Sequence, residues 1–218
     1  MNAGPSRGPD SGEFHSAMKI LVFSDIHGDR RALERLMETE ADYYIAAGDT
    51  VSWARGYDAM GEILAQRGER VWVLPGNHET EEEIAALCRR YGLNPFHGKV
   101  FQAGRFHVAG LGYSTITPFA TPGEYTEAEM ARRLEAFAGL NPLVLVCHSP
   151  PYGTRLDRMG FRHAGSRAVA EFLEKHQPAA FLCGHIHEAH GVAERIGRTR
   201  AWNTGKRGVL VDLATLEV

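Results

Sequence analysis

The sequence has no apolar run approaching the ~20 residues that a membrane-spanning helix requires. It has no excess of positive charge: 24 Lys and Arg stand against 27 Asp and Glu, a formal net charge of -3. A broad phosphate-tracking surface is therefore disfavoured, and nucleic acid is an unexpected partner. Cysteine is scarce. Cys88, Cys147 and Cys183 are an odd number without metal-type spacing, and read as reduced thiols packed in a core, in a cytoplasmic protein. Repeats and low-complexity tracts are missing after residue 17. What remains is an ordinary globular chain. At 218 residues, 44% hydrophobic and 23% charged, it is long enough to bury most of its surface as one domain without disulfide staples.

Residues 1–17 are rich in Gly, Pro and Ser, and lack the apolar stretch of a secretory signal. They are expected to form a disordered N-terminal extension, with the domain spanning 18–218. From Lys19 onward, strand-like and helix-like patterns alternate, which predicts an α/β fold. Helices are predicted over 29–40, 57–66, 80–91, 126–138 and 166–176. Thr80 with Glu83 and Thr126 with Glu129 have the spacing of capping boxes. A hairpin is predicted for 99–103 and 106–111, turned at Gly104-Arg105. Residues 191–213 read as two or three antiparallel strands.

Histidine is abundant, with 11 in the chain. Their placement carries the argument. Five short apolar runs read as buried strands, and each is followed at once by Asp, Asn or His. The run 20–23 leads to Asp25 and His27, and 43–47 leads to Asp49. The run 71–74 leads to Asn77 and His78, 143–146 to His148, and 179–183 to His185 and His187. In open α/β sheets, sites lie outside the carboxyl ends of the strands. A mixed set of carboxylate, amide oxygen and imidazole suits borderline divalent ions such as Mn, Fe, Co, Ni or Zn better than Ca or Mg. Seven such ligands exceed what one ion needs if a water must also bind. Two ions sharing one carboxylate use them all, and such a pair converts a bound water into a nucleophile near neutral pH.

The ordered set Asp25-x-His27-Gly28, Gly48-Asp49, Gly76-Asn77-His78-Glu79, His148 and Gly184-His185-x-His187 resembles the calcineurin-like metallophosphoesterase superfamily, in its small prokaryotic-type branch. The resemblance runs from Lys19 to the C-terminus. It implies a four-layer α/β/β/α sandwich of two mixed β-sheets flanked by helices, with the metal site at the C-terminal strand ends. It implies that Asp25, His27 and His187 bind one metal, that Asn77, His148 and His185 bind the other, and that Asp49 bridges. His78 is then not a ligand but the catalytic group that stabilises the transition state or protonates the leaving oxygen. The implied reaction is hydrolysis of a phosphodiester or phosphomonoester of a small phosphorylated substrate, with manganese the expected ion in vitro. A non-catalytic interaction scaffold on the same fold and a nuclease of the same superfamily are the alternatives.

The chain departs from the Ser/Thr protein phosphatases at Ser52. Those enzymes have an Asp there, three residues after the bridging carboxylate, paired to the catalytic His. Glu79 reads as a helix-start residue favoured by the dipole. His163 reads either as a phosphate contact or as a surface group. Among Arg55, Arg155, Arg158, Arg162, Lys206 and Arg207, one or two are expected to rim the site.

Overall fold

The computed structural model describes residues 18–53 and 55–217. The expectation for residues 1–17 lies outside them. Two mixed sheets carry the fold. In the first, Lys19–Phe23, Tyr43–Ala47, Val71–Leu74 and Asn94–Pro95 run parallel in sequence order, and Val209–Asp212 pairs antiparallel with Lys19–Phe23 at the edge. In the second, the strands lie in the order Ala193–Ile196, Thr199–Asn203, Ala180–Cys183, Leu143–Cys147, Phe106–Leu111, Lys99–Ala103. The four inner strands of that sheet are mutually parallel, and each outer strand is the antiparallel partner of its neighbour.

The apolar runs are continuous because the central strands are buried on both faces. Along Lys19–Phe23, Ile20 and Val22 face one way and Leu21 and Phe23 the other. The first pair joins Ile45, Leu74, Val144, Val146 and Leu182 in a core between the sheets. The second pair packs against Leu33, Leu36, Met60, Ile84 and Leu87 of the helices Arg30–Glu38, Tyr57–Leu64 and Glu81–Tyr91. A third cluster joins Leu145, Phe181 and Cys183 to Met130, Leu134, Val169 and Phe172 of the helices Glu127–Leu134 and Arg167–His176. Three apolar seams between four layers give the expected sandwich.

The helix ends follow their capping residues. Asp29 caps the first helix, and Thr80 and Glu83 complete a capping box on the third. Thr126 accepts the Glu129 N–H, but the Glu129 carboxylate turns to Arg132 and Arg133 rather than back to the cap. The predicted helix over 126–138 tightens into a 3₁₀ turn at Glu135–Phe137. The C-terminal expectation holds for Ala193–Ile196 and Thr199–Asn203, which pair antiparallel, and needs correction beyond that pair. Thr199–Asn203 lies parallel to Ala180–Cys183, and Val209–Asp212 leaves for the other sheet. Alternating β-branched residues announce strands but not which sheet receives them. No helix among the described residues is long and apolar enough to cross a membrane. All three cysteines are buried and free, and burial pushes the Cys88 and Cys147 thiols up to about 12.

Candidate metal centre

Four of the seven predicted ligands leave their strands through turns of unusual backbone. Asp25, His27, Asp49 and His185 have φ of 55°, 48°, 52° and 70°. Non-glycine residues rarely adopt this left-handed region, and such strain concentrates where side chains must be aimed. Two glycines let the turns meet. A Cβ on Gly76 would overlap the Asp49 carboxylate, and one on Gly184 would overlap Ser24 and Asp25.

The turns bring all eight predicted site residues together. Ligand atoms of Asp25, His27 and His187 lie within 4.8 Å of one another, as do those of Asp49, His148 and His185. A third such group is His27, Asp49 and His78. Asn77 Oδ1 is 3.3 Å from His148 Nε2 and 2.9 Å from His185 Nδ1. Asp49 Oδ2 is 3.5 Å from His148 Nε2 and 3.7 Å from His27 Nε2.

The donor set fits divalent cations. His148 Nδ1 donates to the Ala47 carbonyl at 2.9 Å. In a neutral ring that leaves Nε2 as a bare lone pair, yet it faces two further acceptors, Asn77 Oδ1 and Asp49 Oδ2. The Asn77 amide nitrogen donates to Thr121, so its oxygen is committed to the same cluster. Within the other half, His27 Nε2 and His187 Nε2 stand 3.2 Å apart. Lone pairs converging on shared space are stabilised by a cation.

The charges of the chain itself respond to this crowding. Burial opposes ionisation of Asp25, but hydrogen bonds from His187 and His190 and the field of His148 hold its carboxyl well below the ordinary range. Burial likewise opposes Asp49, and His148 holds it down. Burial disfavours the charged His148 ring, but Asp49 overrides it and raises the imidazole to about 9. Burial and the neighbouring His148 push His185 down to about 4.

His78 sits beside this cluster. Its backbone N–H donates to Asp49 Oδ1 at 3.0 Å. Its ring packs edge-on against His27 and Trp53, with centroids 5.2 and 5.1 Å away. Its Nδ1 is buried without a partner among the described residues. Ser52, which stands where the protein phosphatases have their orienting Asp, instead bonds His27 Nδ1 at 2.9 Å. His78 is therefore held by packing rather than by a carboxylate.

Several supporting residues escaped the sequence reading. Glu79 is fully buried and does more than start a helix. Its carboxylate accepts the N–H groups of Asp49, Val51 and Gly76, tying two ligand turns together. His190 Nε2 reaches Asp25 Oδ2 at 3.2 Å. Thr121, behind Asn77, passes its own hydroxyl to Glu124. The sequence signal for Glu79 was its adjacency to the Asn77-His78 motif; nothing local marked the others. Of the two readings of His163 the structure favours the surface group, and the expected basic rim is corrected. His163 Nδ1 bonds the buried Asp157 at 2.7 Å, and the ring stands outside the cavity over the cluster. No Arg or Lys among the described residues lines that cavity.

The calcineurin-like phosphoesterase family profile matches residues 18–189. The chain is 33% identical over 202 residues to an uncharacterized protein of Methanocaldococcus jannaschii, covering 89% of this chain and 91% of that one. It is 45% identical over 193 residues to a UPF0046 protein of Caenorhabditis elegans, covering 80% of this chain and 65% of the relative. Its fold is similar to that of the Thermus thermophilus protein TT1561, with a TM-score of 0.70 at 21% identity over 91% of this chain and 96% of that one. The phosphopantetheinyl hydrolase of Mycobacterium tuberculosis is also similar, with a TM-score of 0.62 at 17% identity over 87% and 89% of the two chains. At these identities the two structures speak for the fold alone.

Proposed function

The chain belongs to the calcineurin-like phosphoesterase family, and we propose that it hydrolyses a phosphomonoester or phosphodiester of a small substrate with two divalent cations. The supporting observation is the convergence of acceptor atoms from five strand-end turns on one point. In this reading Asp25, His27 and His187 hold one cation, Asn77, His148 and His185 hold the other, and Asp49 serves both. Such a pair supplies Lewis acidity that activates water and neutralises phosphoryl oxygens.

The protein's own groups do the rest. Asn77, fixed by Thr121, and His148, fixed by the Ala47 carbonyl, hold their donor atoms without rearrangement. Hydrolysis joins a water oxygen to phosphorus and breaks the ester P–O bond. The leaving oxygen needs a proton. His78 lines the cavity with Nδ1 buried, which leaves Nε2 to give that proton or to stabilise charge on a phosphoryl oxygen. General-acid help of this kind is worth ~10²–10⁴-fold.

The test is hydrolysis of p-nitrophenyl phosphate and bis-p-nitrophenyl phosphate by protein loaded in turn with Mn, Fe, Co, Ni and Zn. Turnover that chelation removes is expected. A folded, metal-replete protein inert toward both esters with every ion would sink this reading and favour the scaffold.

A further inference from the structure

We infer that the cavity over the cluster selects singly phosphorylated esters whose ester group is apolar or aromatic, held against Ile116, Phe119 and Met159. The inference rests on the phosphoesterase reading and names its substrate class. The cavity encloses about 570 Å³, a volume suited to a small molecule. Its floor is the metal cluster. The rest of its lining comes chiefly from two loops, residues 114–124 and 150–165.

Those walls are unusually apolar for solvent-facing loops. Ile116 is 67% exposed, Phe119 74% and Met159 43%. Large apolar side chains clustered in the open mark a binding surface. Here they line the same cavity as His27, Asn77, His78 and His187, so the occupant is a group attached to whatever reaches the cluster. The wall is also held in place. Thr117 and Thr121 both donate to Glu124, and Thr121 takes its second bond from the Asn77 amide. Ile116 and Phe119 are thereby fixed relative to a predicted ligand. The connection that bears Met159 is rooted on buried Asp157, which accepts the N–H groups of Gly153, Thr154 and Gly165.

Charge limits the occupant further. No cationic side chain among the described residues lines the cavity, and Glu188 adds an acidic one. One phosphoryl group can be neutralised at the cluster. Glu188 also borders an adjoining depression lined by Arg155 and Arg158, so a second anionic group would have to leave the apolar lining to meet a cation.

Calorimetry on the metal-loaded protein with two non-hydrolysable probes, phenylphosphonate and methylphosphonate, decides the matter. Burying the ring should make the phenyl compound bind about tenfold more tightly. In the double variant Ile116→Ser, Phe119→Ser the ratio of the two affinities should fall toward one. Both side chains are exposed, so the fold is not at stake, and metal content checks the site. Equal affinities in the wild type, or a phenyl preference unchanged in the variant, would overturn the inference. The two readings fail separately. Turnover of the chromogenic esters without a phenyl preference removes the selectivity alone, whereas no turnover with any metal removes both.

Discussion

On the inner side of the cluster stand Asn77, His148 and His185, with His148 entirely buried; on the outer side His27 has 23% of its side chain exposed and His187 54%. The inner donors are backed by fixed partners. Thr121 holds the Asn77 amide, and the Ala47 carbonyl holds the His148 ring. On the outer side Asp25 is also buried and accepts the Ser24 hydroxyl and the His185 N–H, but the two imidazoles are wetter, with Ser52 on His27 Nδ1. Preorganised, desolvated donors bind tightly and exchange slowly, whereas exposed ones let ions in and out. Metal should therefore bind in two classes, the inner tighter.

Asp49 is the residue the halves share, so its loss should erase the distinction. Asp49→Ala is expected to lose both ions by elemental analysis, and with them all measurable turnover. His78→Ala should separate binding from chemistry: metal content stays at the wild-type level while kcat falls ~10²–10⁴-fold. A fully active His78→Ala protein would remove His78 from the mechanism, and an Asp49→Ala protein with both ions would remove the shared carboxylate.

Glu79→Gln acts on the frame behind both halves. A glutamine offers one oxygen to the three backbone N–H groups that the carboxylate now accepts. Burial and the repulsion of Asp49 raise the Glu79 carboxyl to about 8, and the N–H groups of Gly76 and Val51 act against that rise. Metal affinity should fall about 10–100-fold at both subsites together. A loss confined to one subsite would show that Glu79 does not link the two turns.

Acid should strain the inner half through its support. His97 Nδ1 accepts the Gly112 N–H, and its Nε2 donates to Tyr125, within the segment that leads into the 114–124 loop behind Asn77. Burial lowers this imidazole from 6.5 to about 4. The ring is thus neutral in the fold, and its contribution is complete above pH 6.5. Below 6.5 the unfolded chain takes up the proton first, so stability declines until about pH 4, by about 3 kcal/mol from this group. Urea unfolding across that range should show the advantage of wild type over His97→Gln shrinking as pH falls. A constant gap would mean that His97 is not held neutral.

The sequence revealed the convergence point more readily than its supports. Asp25, Asp49, Asn77, His148 and His185 were legible because each follows an apolar run, a local pattern that buried parallel strands impose. Glu79 lies 30 residues from Asp49, and His190 lies 165 from Asp25, so their bonds exist only once the turns have met. The same reason hid Val209–Asp212, whose alternation gave a strand but not its partner. Ile116 and Phe119 looked like loop residues because their meaning depends on sharing a cavity with Met159 of another loop. Local periodicity reports which face of an element is buried, and is silent on what closes over a site from elsewhere.

Ser52→Ala is the smallest perturbation and probes the outer half alone. The Ser52 hydroxyl stands 2.9 Å from His27 Nδ1, behind the Nε2 that faces the cluster. A neutral hydrogen bond of this kind is worth about 1 kcal/mol, so the weaker metal class should lose about fivefold in affinity. The tighter class should not change, because Asn77, His148 and His185 make no contact with Ser52 among their hydrogen bonds. Competition titrations with a chromogenic chelator resolve the two classes. Equal weakening of both would mean that the cluster binds its ions as one unit, and the inner–outer contrast would have no thermodynamic content.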